Sequence, residues 1–301
     1  MNTATPSGKS PQKPFVIGIT RGDQAGIGPE VISAALASGE LPRGFEFRLI
    51  GPEVDAEPGK PSRVTAQAAI DALEEAVLLL KKNAIDAVVT APVGKEGLHE
   101  LGFDFPGQTE YFAARLGCQN HAMCLTGKNL TVALVTIHVA IAEVPSLLTQ
   151  EEIVRVGHLL ADFCRQRGVV APRIAVCGLN PHAGENGAFG DEDIKIISPA
   201  IRSLQQQAGG AEFSGPHPPD TIFRPAVDGQ YDAVLCMYHD QGLIPLKLLD
   251  FDTGVNVTLG LPYPRTSPDH GTAYDIAGNG EANAGSMIHA IQLACEMAGK
   301  Q

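Results

Sequence analysis

Phe15-Val16-Ile17-Gly18-Ile19 runs through Thr20-Arg21 into Gly22-Asp23-Gln24-Ala25-Gly26-Ile27-Gly28 and then Pro29. The first five residues form a short apolar run rich in β-branched side chains, the pattern of a buried strand. The glycines suit a tight turn, and proline suits the first turn of a helix. This strand, loop and helix unit sets the rhythm of the chain. Strands are expected at 45–50, 87–90, 131–137, 173–177, 233–237 and 255–259. Helices are expected at 66–82, 151–167, 191–207 and 284–297, with Asp191, Glu192 and Asp193 in the first turn of the third. Such alternation argues an α/β fold with helices on both faces of a sheet. No internal repeat is present. The stretch 52–61, rich in proline, glycine and acids, reads as a surface loop. No clean linker separates domains, so a second domain would be an excursion within the first.

The 301 residues are enough for two domains of ordinary size, and 44% hydrophobic content is that of a globular chain. Aromatic residues make up 5% and tryptophan is absent, so the core is aliphatic and base-stacking platforms are not expected. A net charge of −12 repels a phosphate backbone, so an anionic small substrate would need a local cationic pocket. Six cysteines without a C-x-x-C pair, several in apolar runs, read as buried reduced thiols of a cytoplasmic protein. Residues 1–13 read as a disordered tail rather than a signal peptide, and no apolar stretch is long enough to span a bilayer.

Three histidines stand just past expected strands: His138, His182 in Asn180-Pro181-His182-Ala183-Gly184-Glu185, and His239 in Met237-Tyr238-His239-Asp240-Gln241-Gly242. Open α/β sheets place ligands at the carboxyl ends of their strands. Three neutral imidazoles on one divalent metal would leave positions open for substrate and water, the catalytic pattern. A histidine hydrogen-bonded at a strand end is the bland alternative for each. Gly22–Gly28 lacks the spacing of a dinucleotide fingerprint or a P-loop, and a tight turn accounts for its glycines equally well. Pro218-Pro219-Asp220-Thr221 reads as a turn with a helix cap. Lys247, Asn256 and Arg265, near the ends of neighbouring elements, would make an anion pocket if they converge. The loop Asp269-His270-Gly271-Thr272-Ala273-Tyr274-Asp275-Ile276-Ala277-Gly278 would let a nucleotide approach the backbone closely, or form a compact structural turn.

Together these segments resemble the 4-hydroxythreonine-4-phosphate dehydrogenase family, NAD-dependent enzymes of vitamin B6 synthesis. The matching blocks are 22–31, 90–113, 132–149, 176–190, 215–223 and 232–285, in order over nearly the whole chain. The most specific are Cys177-Gly178-Leu179-Asn180-Pro181-His182-Ala183-Gly184-Glu185 and Met237-Tyr238-His239-Asp240-Gln241-Gly242. The resemblance implies the isocitrate/isopropylmalate dehydrogenase fold, two α/β subdomains with the active site in the cleft between them. The first would take 14–105 with 266–301. The second, 106–265, would carry the metal ligands and the dimer interface.

The resemblance further implies that His138, His182 and His239 bind zinc, magnesium or cobalt at a site shared between the subunits of a homodimer. Gln108, Thr109, Lys247, Asn256 and Arg265 would bind a phosphorylated substrate. His270, Gly271, Thr272, Asp275, Ile276 and Ala277 would bind NAD or NADP. Asp220 and Asp240 are the catalytic candidates, for orientation or proton transfer. The implied reaction oxidises 4-phosphooxy-L-threonine to a 3-keto acid, which decarboxylates to 3-amino-2-oxopropyl phosphate.

Two departures stand out. Gly107-Gln108-Thr109-Glu110 has glutamine where the family reads histidine, and Thr20-Arg21-Gly22-Asp23-Gln24 stands where the family more often has prolines. A glutamine hydrogen-bonds but does not titrate near neutral pH. It keeps open a sister dehydrogenase acting on a phosphorylated four-carbon sugar acid or another hydroxy acid. A metal-dependent hydrolase would leave the 270–278 loop unexplained.

Overall fold

The computed structural model describes residues 14–207 and 209–299; the tail expected at 1–13 lies outside the described residues. In chain order the elements are β1 (Phe15–Thr20), α1 (Gly28–Ala37), β2 (Phe45–Ile50), α2 (Arg63–Lys81), β3 (Ala87–Thr90), α3 (Lys95–Glu100) and α4 (Gln108–Leu116). There follow β4 (Ala122–Thr126), β5 (Thr131–Leu134), α5 (Val144–Leu147), α6 (Gln150–Gln166), β6 (Arg173–Cys177) and α7 (Ser198–Gln207). The chain continues with β7 (Glu212–His217), α8 (Phe223–Val227), β8 (Ala233–Cys236), α9 (His239–Asp250), β9 (Val255–Leu259), β10 (Arg265–Pro268) and α10 (Gly285–Ala298).

Most of the expected elements form near their expected bounds, and the exceptions have local causes. Helix α2 starts three residues early because Ser62 and Thr65 make a reciprocal cap: Thr65 N donates to Ser62 Oγ at 3.2 Å and Ser62 N to Thr65 Oγ1 at 3.1 Å. The helix expected over 191–207 is not uniform. Asp193–Ile197 is a π-helical turn, and α-helix resumes at Ser198. The cap expected at 218–221 does not form, since α8 is preceded by Ile222 and has no side-chain capping bond.

Among the described residues, ten strands join one sheet in the order β2-β1-β3-β10-β9-β4-β5-β8-β6-β7. The outer pairings are parallel, whereas β10–β9, β9–β4 and β4–β5 are antiparallel. Side chains alternate across a strand, so each strand serves both faces. On one face a continuous apolar core joins Val31 and Ile32 of α1, Ile153 and Phe163 of α6, Ile201 and Leu204 of α7, and Met287 and Ile291 of α10. On the other face the apolar packing is split. One cluster gathers Leu73 and Leu80 of α2, Leu98 of α3, and Tyr111 and Phe112 of α4. A separate one gathers Leu243 and Leu246 of α9, Ile222, Ala226 and the adjoining strands.

The split falls over the antiparallel strands. Val255, Val257 and Leu259 of β9 face the continuous core, which turns Asn256 and Thr258 toward the other side. Arg265 and Ser267 of β10 stand beside them, with Ser267 paired in register to Asn256. A cleft with a polar floor therefore opens where the two clusters part.

Candidate active site

The cleft holds a cavity of about 380 Å³. Thr90, Gln108 and Thr109 line it from the β3–α4 side, His138, His239 and Lys247 from the α9 side, and His270 and Gly271 close one end. The residues expected from sequence to bind substrate, Gln108, Thr109, Lys247, Asn256 and Arg265, thus converge, although they come from α4, α9, β9 and β10.

Arg265 dominates the floor. It is 3% exposed, yet among the described residues no carboxylate hydrogen-bonds to it. Nη2 donates to Thr90 Oγ1 at 2.6 Å and to Gln108 Oε1 at 3.3 Å. Nη1 donates to Thr258 Oγ1 at 3.3 Å and Thr109 Oγ1 at 3.4 Å. Its Nε has no partner. Burial pulls the guanidinium down to about 10, against an opposing push from Glu110, so it remains a cation at neutral pH. A buried cation surrounded by neutral oxygens is costly unless an anion joins it. Gln108 is held with its amide oxygen toward that cation, because Nε2 donates to Ala91 O at 3.2 Å. Helix α4 starts at Gln108, so its free N–H groups open at the cleft as well.

Lys247 Nζ lies 3.3 Å from Asp269 Oδ2 and donates to Asp269 O at 3.4 Å. Asp269, immediately after β10, was not among the residues expected at the site; its one signal was its place at the head of the 270–278 loop. Burial raises its carboxyl, and Lys247 opposes the rise. Two acceptors in the cleft, Asn256 Oδ1 and Glu110 Oε2, are buried without a hydrogen-bond partner.

Of the three histidines, two meet. Strands β5 and β8 are parallel neighbours with Leu134 opposite Cys236, and Thr136 N donates to Met237 O at 3.1 Å. That pairing brings the His138 and His239 rings to 5.7 Å between centroids. His239 Nδ1 donates to Asp240 Oδ1 at 2.7 Å, which leaves Nε2 as the ring's free lone pair. Burial, then Lys95, lowers the pKa of His138, so its imidazole is neutral. Both rings therefore suit a divalent cation. Among the described residues, no three potential ligands gather around one point.

His182 lies apart, although β6 is the next strand. It follows Asn180-Pro181 in a left-handed turn in which His182, Ala183, Gly184, Glu185 and Asn186 all have positive φ, between 39° and 78°. Each non-glycine residue in that conformation costs on the order of 1–2 kcal/mol. The ring is exposed and has Phe189 as its neighbour, 6.0 Å between centroids. Asp220, past the edge strand β7, is also exposed and does not line the cleft. Asp240 is exposed apart from its bond to His239.

The 270–278 loop rests on the Gly22–Gly28 turn. Ile27 N donates to Thr272 O at 2.9 Å, and a Cβ on Gly26 would stand 2.6 Å from that oxygen. Tyr274 OH donates to Asp23 Oδ2 at 2.6 Å. At the cleft end, His270 Nε2 is buried without a partner and Gly271 has open space where a Cβ would be. That orphaned ring nitrogen and bare backbone fit a cofactor. Asp275 is exposed, while Ile276 and Ala277 pack into the continuous core and anchor the loop.

This sheet, with a cleft over its antiparallel centre, is the fold of the isocitrate-type dehydrogenases. Isocitrate dehydrogenase from Methylococcus capsulatus superposes with a TM-score of 0.54 at 15% identity, over 93% of this chain and 83% of that one. At that identity the likeness concerns the fold alone. Residues 32–294 match the family model "Pyridoxal phosphate biosynthetic protein PdxA", and the chain belongs to that family, whose members are oxidoreductases. A 4-hydroxythreonine-4-phosphate dehydrogenase from Geobacter metallireducens is 44% identical, covering 95% of this chain and 96% of its own. A D-threonate 4-phosphate dehydrogenase from Pectobacterium atrosepticum is 41% identical, over 94% and 99%. The crystal structure of 4-hydroxythreonine-4-phosphate dehydrogenase from Klebsiella pneumoniae superposes with a TM-score of 0.80 at 38% identity, over 96% and 99%.

Proposed function

We propose that this chain oxidises 4-phosphooxy-L-threonine with NAD or NADP to the 3-keto acid, which loses carbon dioxide to give 3-amino-2-oxopropyl phosphate, a step of vitamin B6 synthesis in the cytoplasm. The observation that carries this reading is Arg265, a buried cation hydrogen-bonded to neutral oxygens and to no carboxylate among the described residues, on the floor of a cleft that also holds a pair of imidazoles. A phosphate would supply the missing anion, and the guanidinium fork suits it. Thr109, Gln108 and the α4 N-terminus would share its oxygens, and Lys247 would turn from Asp269 toward it.

His138 and His239 would hold a divalent ion such as zinc, magnesium or cobalt, with His182 of the partner subunit as the third ligand. His270 and Gly271 would hold the nicotinamide cofactor. When bound, these groups supply the Lewis acid and the hydride acceptor that side chains lack. Asp240 fixes the tautomer and tilt of His239. Asp220 would reach a reacting centre only across the subunit boundary. Support for a homodimer comes from α9. Ile244, Leu248 and Phe251, one stripe at helical spacing, are 67%, 83% and 72% exposed. A self-complementary contact along that stripe would bury it close to His239.

The second reading is oxidation of D-threonate 4-phosphate. Gln108 favours it, as does the relative from Pectobacterium atrosepticum. The unpartnered acceptors Glu110 Oε2 and Asn256 Oδ1 favour the first, because an ammonium group brings three donors. Purified protein with a divalent metal and NAD, offered each substrate in turn, separates the two. Higher kcat/KM for 4-phosphooxy-L-threonine, with carbon dioxide released, is expected. Turnover of the threonate alone would replace the first reading by the second.

A further inference from the structure

An L residue keeps a positive φ only where its surroundings fix it, and residues 182–186 hold four, His182, Ala183, Glu185 and Asn186, around Gly184. Beneath them lies Asp193, 1% exposed. Its partners are amide groups rather than a cation: Oδ1 accepts from Leu179 N at 2.9 Å, and Oδ2 from Asn180 N at 3.2 Å and Asn180 Nδ2 at 3.0 Å. A Cβ on Gly178 would stand 2.6 Å from Oδ1 and one on Gly184 3.2 Å from Oδ2, so two glycines make room for the carboxylate. Asp193 itself opens the π-helical turn Asp193–Ile197, where Ser198 Oγ donates to its carbonyl at 2.7 Å. Such turns gather at functional positions. Gln241 clamps the same segment from the opposite side, donating to Gly178 O at 2.8 Å while accepting from Met237 N at 2.7 Å. All this fixes the root of a turn whose outer end presents an exposed imidazole.

We infer that Asp193 is a positioning residue: its buried carboxylate holds residues 179–186 in the left-handed turn and so sets the direction and reach of His182. The inference rests on the reading in which His182 completes the partner subunit's metal site. Groups hydrogen-bonded directly to a metal ligand typically change metal affinity by about 10- to 100-fold when replaced; Asp193 acts one step further back, through the backbone of 179 and 180.

Asp193→Asn keeps the size of the side chain and removes one acceptor. Three measurements follow the intact protein: Co²⁺ titration by visible absorption, hydrogen exchange over residues 179–187, and thermal unfolding without metal. Asp193→Asn is expected to bind Co²⁺ about 10-fold or more weakly, and to exchange faster across 179–187, with its oligomeric state kept. Adding Ala183→Gly should recover part of the affinity, since glycine enters the left-handed region without the Cβ penalty. His182→Ala should lose Co²⁺ affinity with no faster exchange. A lower melting temperature with unchanged Co²⁺ affinity and unchanged exchange would overturn the inference. Should Asp193→Asn not fold, Gly184→Ala strains the same turn with the carboxylate in place, and wild-type Co²⁺ affinity and exchange there would overturn it equally. If the wild-type protein binds no Co²⁺, the metal reading fails, and the exchange result alone decides whether Asp193 fixes the turn.

Discussion

Arg265 Nη2 donates to Thr90 Oγ1 at 2.6 Å, the shortest bond in a ring of neutral oxygens around a buried guanidinium. Replacing buried charged groups by well-packed apolar side chains is often neutral or stabilising, by about 1–4 kcal/mol. Losing a buried charge partner of a bound anion costs about 2–5 kcal/mol of binding. Arg265→Met should therefore keep or raise the melting temperature while kcat/KM for the phosphorylated substrate falls by about 10² or more. A thermal melt beside steady-state kinetics checks both halves; a large drop in stability would mean that the cation serves the fold.

Gln108 cannot titrate, and an imidazole in its place can. Next to Arg265 its pKa in the free enzyme would lie below the usual ~6.5, and a bound phosphate would raise it. Gln108→His should then bind substrate more tightly as pH falls through that range, because binding takes up a proton. The plot of log KM against pH should acquire a slope between about pH 5 and 7 beyond that which titration of the substrate's own phosphate gives the wild type. Parallel profiles would place Gln108 away from the phosphate.

The apolar stripe on α9 touches no part of the cleft floor. Leu248→Asp should nevertheless abolish activity, by converting the dimer to monomer, while the circular dichroism spectrum stays native. Light scattering after size exclusion reads the mass. A dimer of wild-type stability would move the interface elsewhere.

Tyr274 OH ties the 270–278 loop to Asp23 at 2.6 Å. Tyr274→Phe loses that bond and keeps the ring. The KM for the nicotinamide cofactor should rise several-fold, with the KM for the phosphorylated substrate little changed. Equal changes in both would argue against a cofactor role for this loop.

Much of the fold was legible because buried parallel strands are nearly continuous apolar runs: Ala87-Val88-Val89-Thr90, Arg173-Ile174-Ala175-Val176-Cys177 and Ala233-Val234-Leu235-Cys236 read directly as strands. Strand β10, Arg265-Thr266-Ser267-Pro268, did not. It is polar and carries a proline, and only its place between β3 and β9 makes it a strand. Strand β7 was missed too, since Ser214-Gly215-Pro216 reads as a turn. The cleft floor was half visible in Val255-Asn256-Val257-Thr258-Leu259, whose alternation turns Asn256 and Thr258 to one face. The sequence put the three histidines past the ends of separate strands; those strands are neighbours in the sheet, and His138 and His239 meet. The same rule was silent on the direction of a turn five residues past the strand, which for His182 depends on Asp193, from another segment.

The central claim is a catalytic centre assembled from two subunits, and subunit mixing tests it most directly. His138→Ala and His182→Ala should each be inactive alone. Mixed one to one, unfolded together and refolded, half of the dimers are mixed, and in each of these one of the two sites has every imidazole intact. About one quarter of wild-type NAD reduction with 4-phosphooxy-L-threonine should return. No recovery from a mixture shown to contain the mixed dimer would contradict the shared site and place all three histidines within one chain.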